Sequence, residues 1–137
     1  MEYSLLNRKI ESNNVIATAK ELGVTITAYT PLGYGLLTGK YHKNPELFDQ
    51  SSRSFMLKRK FEQSRPIVEA LEEIAKKYDA TPGQVALNWV IHFQGETVVT
   101  IPGATKVEHV KQSAGTMKFK LSKNELMRLD ELSSEFL

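Results

Sequence analysis

The sequence predicts an α/β fold in which parallel strands alternate with helices, and three observations carry that reading. Two short β-branched runs, residues 24–28 and 97–101, each stop at a turn rich in proline and glycine. Apolar residues recur at helical spacing between and around those runs. Serine or threonine followed three residues later by glutamine or glutamate marks helix starts. Strands separated by helices return through right-handed crossovers, which make the sheet parallel.

Residues 1–6 read as a short strand or its tail. Ser12 or Asn13 is placed to cap a helix through Val15, Ile16, Ala19 and Leu22, with Gly23 as its stop. Residues 24–28 form the first clear strand. Residues 42–63 show weak periodicity and read as a long loop, one that follows a glycine-rich turn and is positioned to cover a ligand there. Its basic cluster, Lys58, Arg59 and Lys60, reads as a solvated loop, and so does His42. Helical spacing resumes with Ile67, Leu71, Ile74 and Tyr78. Thr81, Pro82 and Gln84 supply an N-cap, a proline at the first helical position and a capping-box partner for a helix carrying Val85, Trp89, Val90 and Phe93. Gly95 ends that helix and residues 97–101 form the second clear strand. Thr105 with Glu108, and Ser122 with Glu125, have the spacing of two further capping boxes.

The 137 residues suffice for one ordinary domain and are too few for two. A chain 41% hydrophobic and 25% charged, with mean hydropathy −0.32, has the composition of a soluble globular protein. It contains no run long enough to span a bilayer and no basic-then-apolar leader, so a cytosolic location is expected. Without cysteine there is no disulfide, no thiolate nucleophile and no thiolate metal site. A net charge of +2 gives no argument for nucleic acid as a partner.

Two strand ends carry the chemistry. After the first strand come Tyr29, Thr30, Pro31, Leu32, Gly33, Tyr34, Gly35 and, farther on, Gly39 and Lys40. An aromatic ring there can stack on a flat group, glycines let backbone N–H groups approach a ligand, and a lysine meets an anion as a point charge. After the second strand come Pro102, Gly103, Ala104, Thr105 and Lys106, feeding a helix whose first turn has unpaired N–H donors and a positive dipole end. Thr105 is placed to cap that helix and offer a hydroxyl, and Lys106 adds a charge. His109, Gln112 and Ser113 lie near one face of it. Neighbouring parallel strands would bring both ends to one rim, so a phosphate-containing ligand, such as a nucleotide, is expected there.

These motifs resemble those of the aldo-keto reductases, and the resemblance covers essentially the whole chain. Residues 2–8 are similar to the family's sixth-strand segment and residues 29–40 to its seventh. Residues 81–90 and 101–104 are similar to the following helix and the eighth strand. The resemblance implies part of a (β/α)8 barrel that binds NADP(H) at the C-terminal rim of its strands and reduces small-molecule carbonyls by hydride transfer. It implies that Tyr29 stacks on the nicotinamide, that Thr30, Pro31, Leu32, Gly33 and Gly35 line the cofactor, and that Lys40 approaches the pyrophosphate. Arg53 would lie near the adenosine side. Gly103, Thr105 and Lys106 would hold the 2′-phosphate, with His109, Gln112 and Ser113 around the adenine. These last three differ from the glutamine or arginine, glutamate and asparagine usual in the family.

The family's catalytic aspartate, tyrosine, lysine and histidine lie on early strands that this sequence does not match, so no catalytic residue is assigned. The expectation is the C-terminal part of a reductase barrel, with sheet edges and apolar strand faces that favour pairing with a second copy or with a complementing N-terminal half. The alternatives are a catalytically inactive NADP(H)-binding module, either a truncated gene product or a subunit that senses NADP(H) or assembles with a partner, and a fragment that binds nothing.

Overall fold

The computed structural model describes residues 1–137. In chain order the elements are α1 (Lys9–Ser12), α2 (Val15–Leu22), β1 (Ile26–Ala28), α3 (Lys40–Lys43), α4 (Pro45–Asp49), α5 (Ser54–Gln63), α6 (Arg65–Lys77), α7 (Pro82–His92), β2 (Val98–Thr100), α8 (Val107–Gly115) and α9 (Lys123–Leu132). Tighter 3-10 turns occupy Gly33–Thr38, Thr116–Lys118 and Ser134–Phe136.

β1 and β2 are parallel neighbours, with Ile26 opposite Val98, Thr27 opposite Val99 and Ala28 opposite Thr100. The ladder runs one residue past each strand: Ile26 N–H donates to Thr97 O at 2.8 Å and Ile101 N–H to Ala28 O at 3.0 Å. Both strands are shorter than the β-branched runs suggest. At the start of β1 the chain is still closing α2: Gly23 takes a left-handed conformation and Val24 N–H bonds back to Ala19 O. The expected first strand survives as a parallel bridge of Glu2 to Tyr29, with Tyr29 N–H donating to Met1 O and Tyr3 N–H to Tyr29 O. The sheet order is therefore residues 1–3, β1, β2.

Side chains alternate across this sheet. Ile26, Ala28 and Val98 are buried, together with Trp89 of α7 and with Tyr3, Leu36, Leu71 and Val85, in one core of 23 residues. Thr27 and Val99, on the other face, are exposed, Val99 by 47%. This is the arrangement of a barrel wall: parallel strands, helices packed outside, and an inner face.

Capping explains where the longer helices begin. The Thr81–Gln84 and Ser122–Glu125 boxes both form with their reciprocal bonds. Asn88 is fully buried and acts as a connector: its amide donates to the carbonyls of Thr116 and Phe119 and accepts from Leu121 N–H, fixing the chain after α8 against α7. Arg8, 1% exposed, joins the two ends of the chain. Its guanidinium meets Glu11 at 2.8 Å and Asp130 at 2.6 Å and lies over the Trp89 ring, 5.1 Å from the centroid. Glu125 clamps α9 to the end of α6 through Lys77 and Tyr78. Burial pushes its carboxyl up, but Lys77, Tyr78 and Ser122 together outweigh that and hold it at about 2.

Residues 42–63 are not a structureless loop. They contain the second half of α3, all of α4 and all of α5. The pattern is weak because α3 and α4 are 4 and 5 residues long, none of the three has a side-chain cap, and Phe48 is their one buried residue. Aromatic stacking holds them instead: Tyr41 meets Phe48 edge-on at 5.7 Å, Phe48 stacks on Phe61 at 4.3 Å, and Phe61 stacks on His42 at 4.6 Å. Tertiary packing overrides weak local propensity here. Lys58 and Arg59 are exposed as expected, on a helix rather than a loop.

Candidate functional site

The register of β1 against β2 puts the two strand exits at one edge of the sheet. Ala28 pairs with Thr100 and the ladder continues to Ile101, so Tyr29 falls opposite Ile101 and the two chains leave the sheet side by side. Tyr29 is 48% exposed, on the same side of the ladder as Thr27 and Val99.

The turn after β1 is strained. Four non-glycine residues in the chain have positive φ, and two of them, Thr30 at 54° and Tyr34 at 58°, fall in this turn. Gly33, Gly35 and Gly39 share that conformation. A β-branched or bulky residue there costs of order 1–3 kcal/mol, and such residues cluster at functional sites. Gly33 also permits a close approach: a Cβ on it would lie 2.8 Å from Leu6 Cδ1. The N-terminal segment therefore packs directly against the turn, and Pro31 and Gly33 are buried.

The glycines do not supply free donors. Gly33 N–H bonds to Thr30 O, and Gly35 and Leu37 N–H both bond to Leu32 O. This corrects the expectation that glycine N–H groups here face a ligand; what the glycines contribute is conformation and missing side chains. The space a Cβ would take at Gly35 is bordered by Tyr41 at 3.5 Å and by Lys40 Cε and Nζ at 3.6 and 3.8 Å. The Lys40 ammonium also lies over the Tyr41 ring, 4.6 Å from its centroid, and Arg53 Cζ lies 5.2 Å from the centroid of Tyr34. Two cations thus flank the turn, Lys40 from α3 and Arg53 from the residue preceding α5.

The exit from β2 has the opposite character. Residues 103–110 are all exposed, and nothing stands within 4 Å of a Cβ built on Gly103. The expected Thr105–Glu108 capping box does not form, because the helix starts two residues after Thr105 and Lys106 occupies the cap position without a side-chain bond. Glu108 instead accepts a long bond from Gln112 at 3.5 Å, and Thr105 N–H points to His109 Nδ1, also at 3.5 Å. The N–H groups of Lys106, Val107 and Glu108 find no acceptor in the protein. A positive helix end, three open donors and an adjacent lysine make an anion-binding arrangement. Gln112 faces the other way in part: its carbonyl accepts from Gln84 at 2.8 Å, tying α8 to α7. Ser113 is half-buried on the same helix.

Two groups near the site escape a reading of spacing alone. His42 is half-buried rather than solvated: Nε2 lies 3.2 Å from Phe61 O and 3.1 Å from Ser64 Oγ, while Nδ1 is buried without a partner. Burial, reinforced by Arg65, lowers its affinity for a proton. Its one sequence signal was the run of aromatic residues at 41, 48 and 61. Tyr34 is the other, and its signal, a tyrosine between two glycines, has meaning only once the backbone is known. No group of histidines and acids is arranged to hold a metal, and no helix is long and apolar enough to cross a membrane.

The Aldo/keto reductase family model matches residues 1–134. The chain is 37% identical to aldo-keto reductase str7 of Strobilurus tenacellus over 98% of its own length and 41% of that protein's. It is 37% identical to probable aldo-keto reductase 1 of Glycine max, over 96% of its length and 38% of the relative's. Identity to the chloroplastic pyridoxal reductase of Arabidopsis thaliana is 35%, over 98% and 36%. The fold matches the crystal structure of a thermostable aldo-keto reductase in complex with the inhibitor epalrestat, with TM-score 0.69 and 30% identity, over 96% of this chain and 38% of that one. The chain therefore spans about two-fifths of the length of the relatives it matches. Family match, shared barrel wall and paired strand exits agree: the chain belongs to the aldo/keto reductase family.

Proposed function

We propose that these residues form the phosphate-binding and nicotinamide-facing side of an NADP(H) site, within an oxidoreductase that reduces a small-molecule carbonyl. The observation that carries this reading is the in-register ending of β1 and β2, which gives a strained, cation-flanked turn and an unsatisfied helix start a common edge. The residues fit the cofactor: the vacant Cβ position at Gly35 lies beside a lysine ammonium, and the open N–H groups at 106–108 match a phosphate monoester. The cofactor would supply the hydride.

In this reading the exposed Tyr29 ring supports the nicotinamide, while Thr30, Pro31, Leu32, Gly33 and Gly35 shape the wall beside it. Lys40 approaches the pyrophosphate, and Arg53 lies toward the adenosine side. Gly103, Thr105 and Lys106 take the 2′-phosphate, and His109, Gln112 and Ser113 border the adenine. None of these residues is a proton donor to the substrate. Calorimetric titration with NADPH and NADH tests the reading: NADPH should bind, NADH at least tenfold more weakly, and Lys106→Glu should erase the difference. Equal affinity for both cofactors, or none for either, would contradict it.

A second reading concerns assembly. Val99 and Ile101, 47% and 55% exposed, line a strand face beside Thr27, and β2 has no neighbour beyond it. Such an edge and face favour a partner that continues the sheet, either a second copy or a complementing set of barrel strands. Sedimentation showing only a compact monomer at micromolar concentration would oppose this.

A further inference from the structure

Two aromatic rings beside the turn after β1 carry cations on their faces, but only one pair joins separate parts of the chain. Lys40 and Tyr41 are sequence neighbours, whereas Arg53 reaches Tyr34 across α3 and α4. We propose that Tyr34 is a positioning residue whose ring face holds the Arg53 guanidinium beside the Gly35 turn, ready for the cofactor phosphates. The proposal rests on reading this turn as the cofactor loop.

Tyrosine is a costly choice at position 34. Its φ of 58° suits glycine or asparagine, so the turn alone would be better served by either. The core does not need the ring, which leaves the residue 40% exposed. What the ring does is meet Arg53. That arginine precedes α5, is exposed, and has no ion pair with any carboxylate. A long side chain in that situation samples many rotamers, and fixing it on binding an anion costs entropy. An aromatic face restrains the guanidinium without neutralising it, leaving its full charge for a phosphate. The backbone strain at Tyr34 is thus offset by an arginine held in place before the ligand arrives.

The test uses Tyr34→Phe, which keeps the face, Tyr34→Asn, which removes it but tolerates the backbone, and Arg53→Ala. NADPH affinity measured by calorimetry at low salt should fall about fivefold in Tyr34→Asn and stay within about twofold in Tyr34→Phe, a range set by exposed cation–π contacts. Tyr34→Asn should have no further effect once Arg53→Ala is present. Its melting temperature should equal or exceed that of the wild type, which a merely structural tyrosine would not allow. The Arg53 Nε–H proton should show an upfield ring-current shift in wild type and Tyr34→Phe that vanishes in Tyr34→Asn. NADPH binding indifferent to Tyr34→Asn, or a Phe variant as weak as the Asn variant, would overturn the proposal alone. A wild-type chain that does not bind NADPH would overturn the cofactor reading, and the proposal with it.

Discussion

The two strand exits at this rim are built to opposite designs. The turn after β1 satisfies its glycine donors internally, buries Pro31 and Gly33, packs Gly33 on Leu6, and braces its cations on aromatic rings. The exit from β2 is bare: α8 has no buried residue, its start is uncapped, and its first N–H groups are open. A braced loop can give shape and direction to a flat ring, because its geometry is fixed beforehand. An exposed helix start with open donors is suited to a compact anion, which brings its own acceptors. One half of the site is made by strain and packing, the other by unspent hydrogen-bonding capacity.

Breaking the braced half should have the largest effect on stability. Gly33→Ala must hold φ at 55° and push against Leu6 Cδ1, and we expect a loss of about 2–4 kcal/mol in urea unfolding. The matching change on the bare side, Gly103→Ala, meets no atom within 4 Å and should alter stability by less than about 0.5 kcal/mol. Equal losses in the two variants would remove the contrast.

Reversing charge on the bare half should invert the pattern. Lys106→Glu is expected to weaken NADPH binding by about 30-fold or more, since it replaces attraction with repulsion at a doubly charged phosphate. Because the residue is exposed and unpaired, the melting temperature should not move. Differential scanning fluorimetry and calorimetry on the same samples separate the two effects.

Acid should loosen the braced half selectively. His42 lies under α5 and faces Arg65, Glu69 and Glu72 of α6, with Lys43 paired to Glu72 nearby. Burial holds its folded pKa below the unfolded value of 6.5, so the neutral ring is the folded form. Its contribution is complete above that value and is lost as pH falls through 6.5 toward the folded value. Once the intrinsic pH dependence of exchange is divided out, amide protection in α3 should therefore fall between pH 7.5 and 5.5, and His42→Gln should flatten the change. Glu125 acts at lower pH: with a folded value of about 2 against 4.5 unfolded, its clamp on α6 stabilises the chain above 4.5 and fades as pH drops toward 2. Glu125→Gln should remove part of the acid sensitivity of global unfolding.

The same contrast explains what the sequence revealed. Capping boxes at Thr81 and Ser122 were legible because serine or threonine with a partner three residues on has a local mechanism. Both β-branched runs marked real strands, and the family motifs at residues 29–40 and 101–104 led to the right fold and family. The capping box at Thr105 has the same spacing yet does not form, because α8 begins one residue later than that pattern implies. α3, α4 and α5 were hidden, since His42, Phe48 and Phe61 meet through tertiary stacking that no periodicity encodes. Nor does the sequence disclose that Gly33 and Gly35 spend their donors within the turn, which depends on left-handed backbone at Thr30 and Tyr34.

The central claim is that the exits of β1 and β2 act as one site for one dinucleotide, and an amide-resolved NMR titration with NADP+ tests it most directly. The account predicts that signals from residues 32–35 and from residues 103–108 shift together and saturate along a single binding curve. Shifts confined to one segment, or two segments saturating at different concentrations, would contradict it.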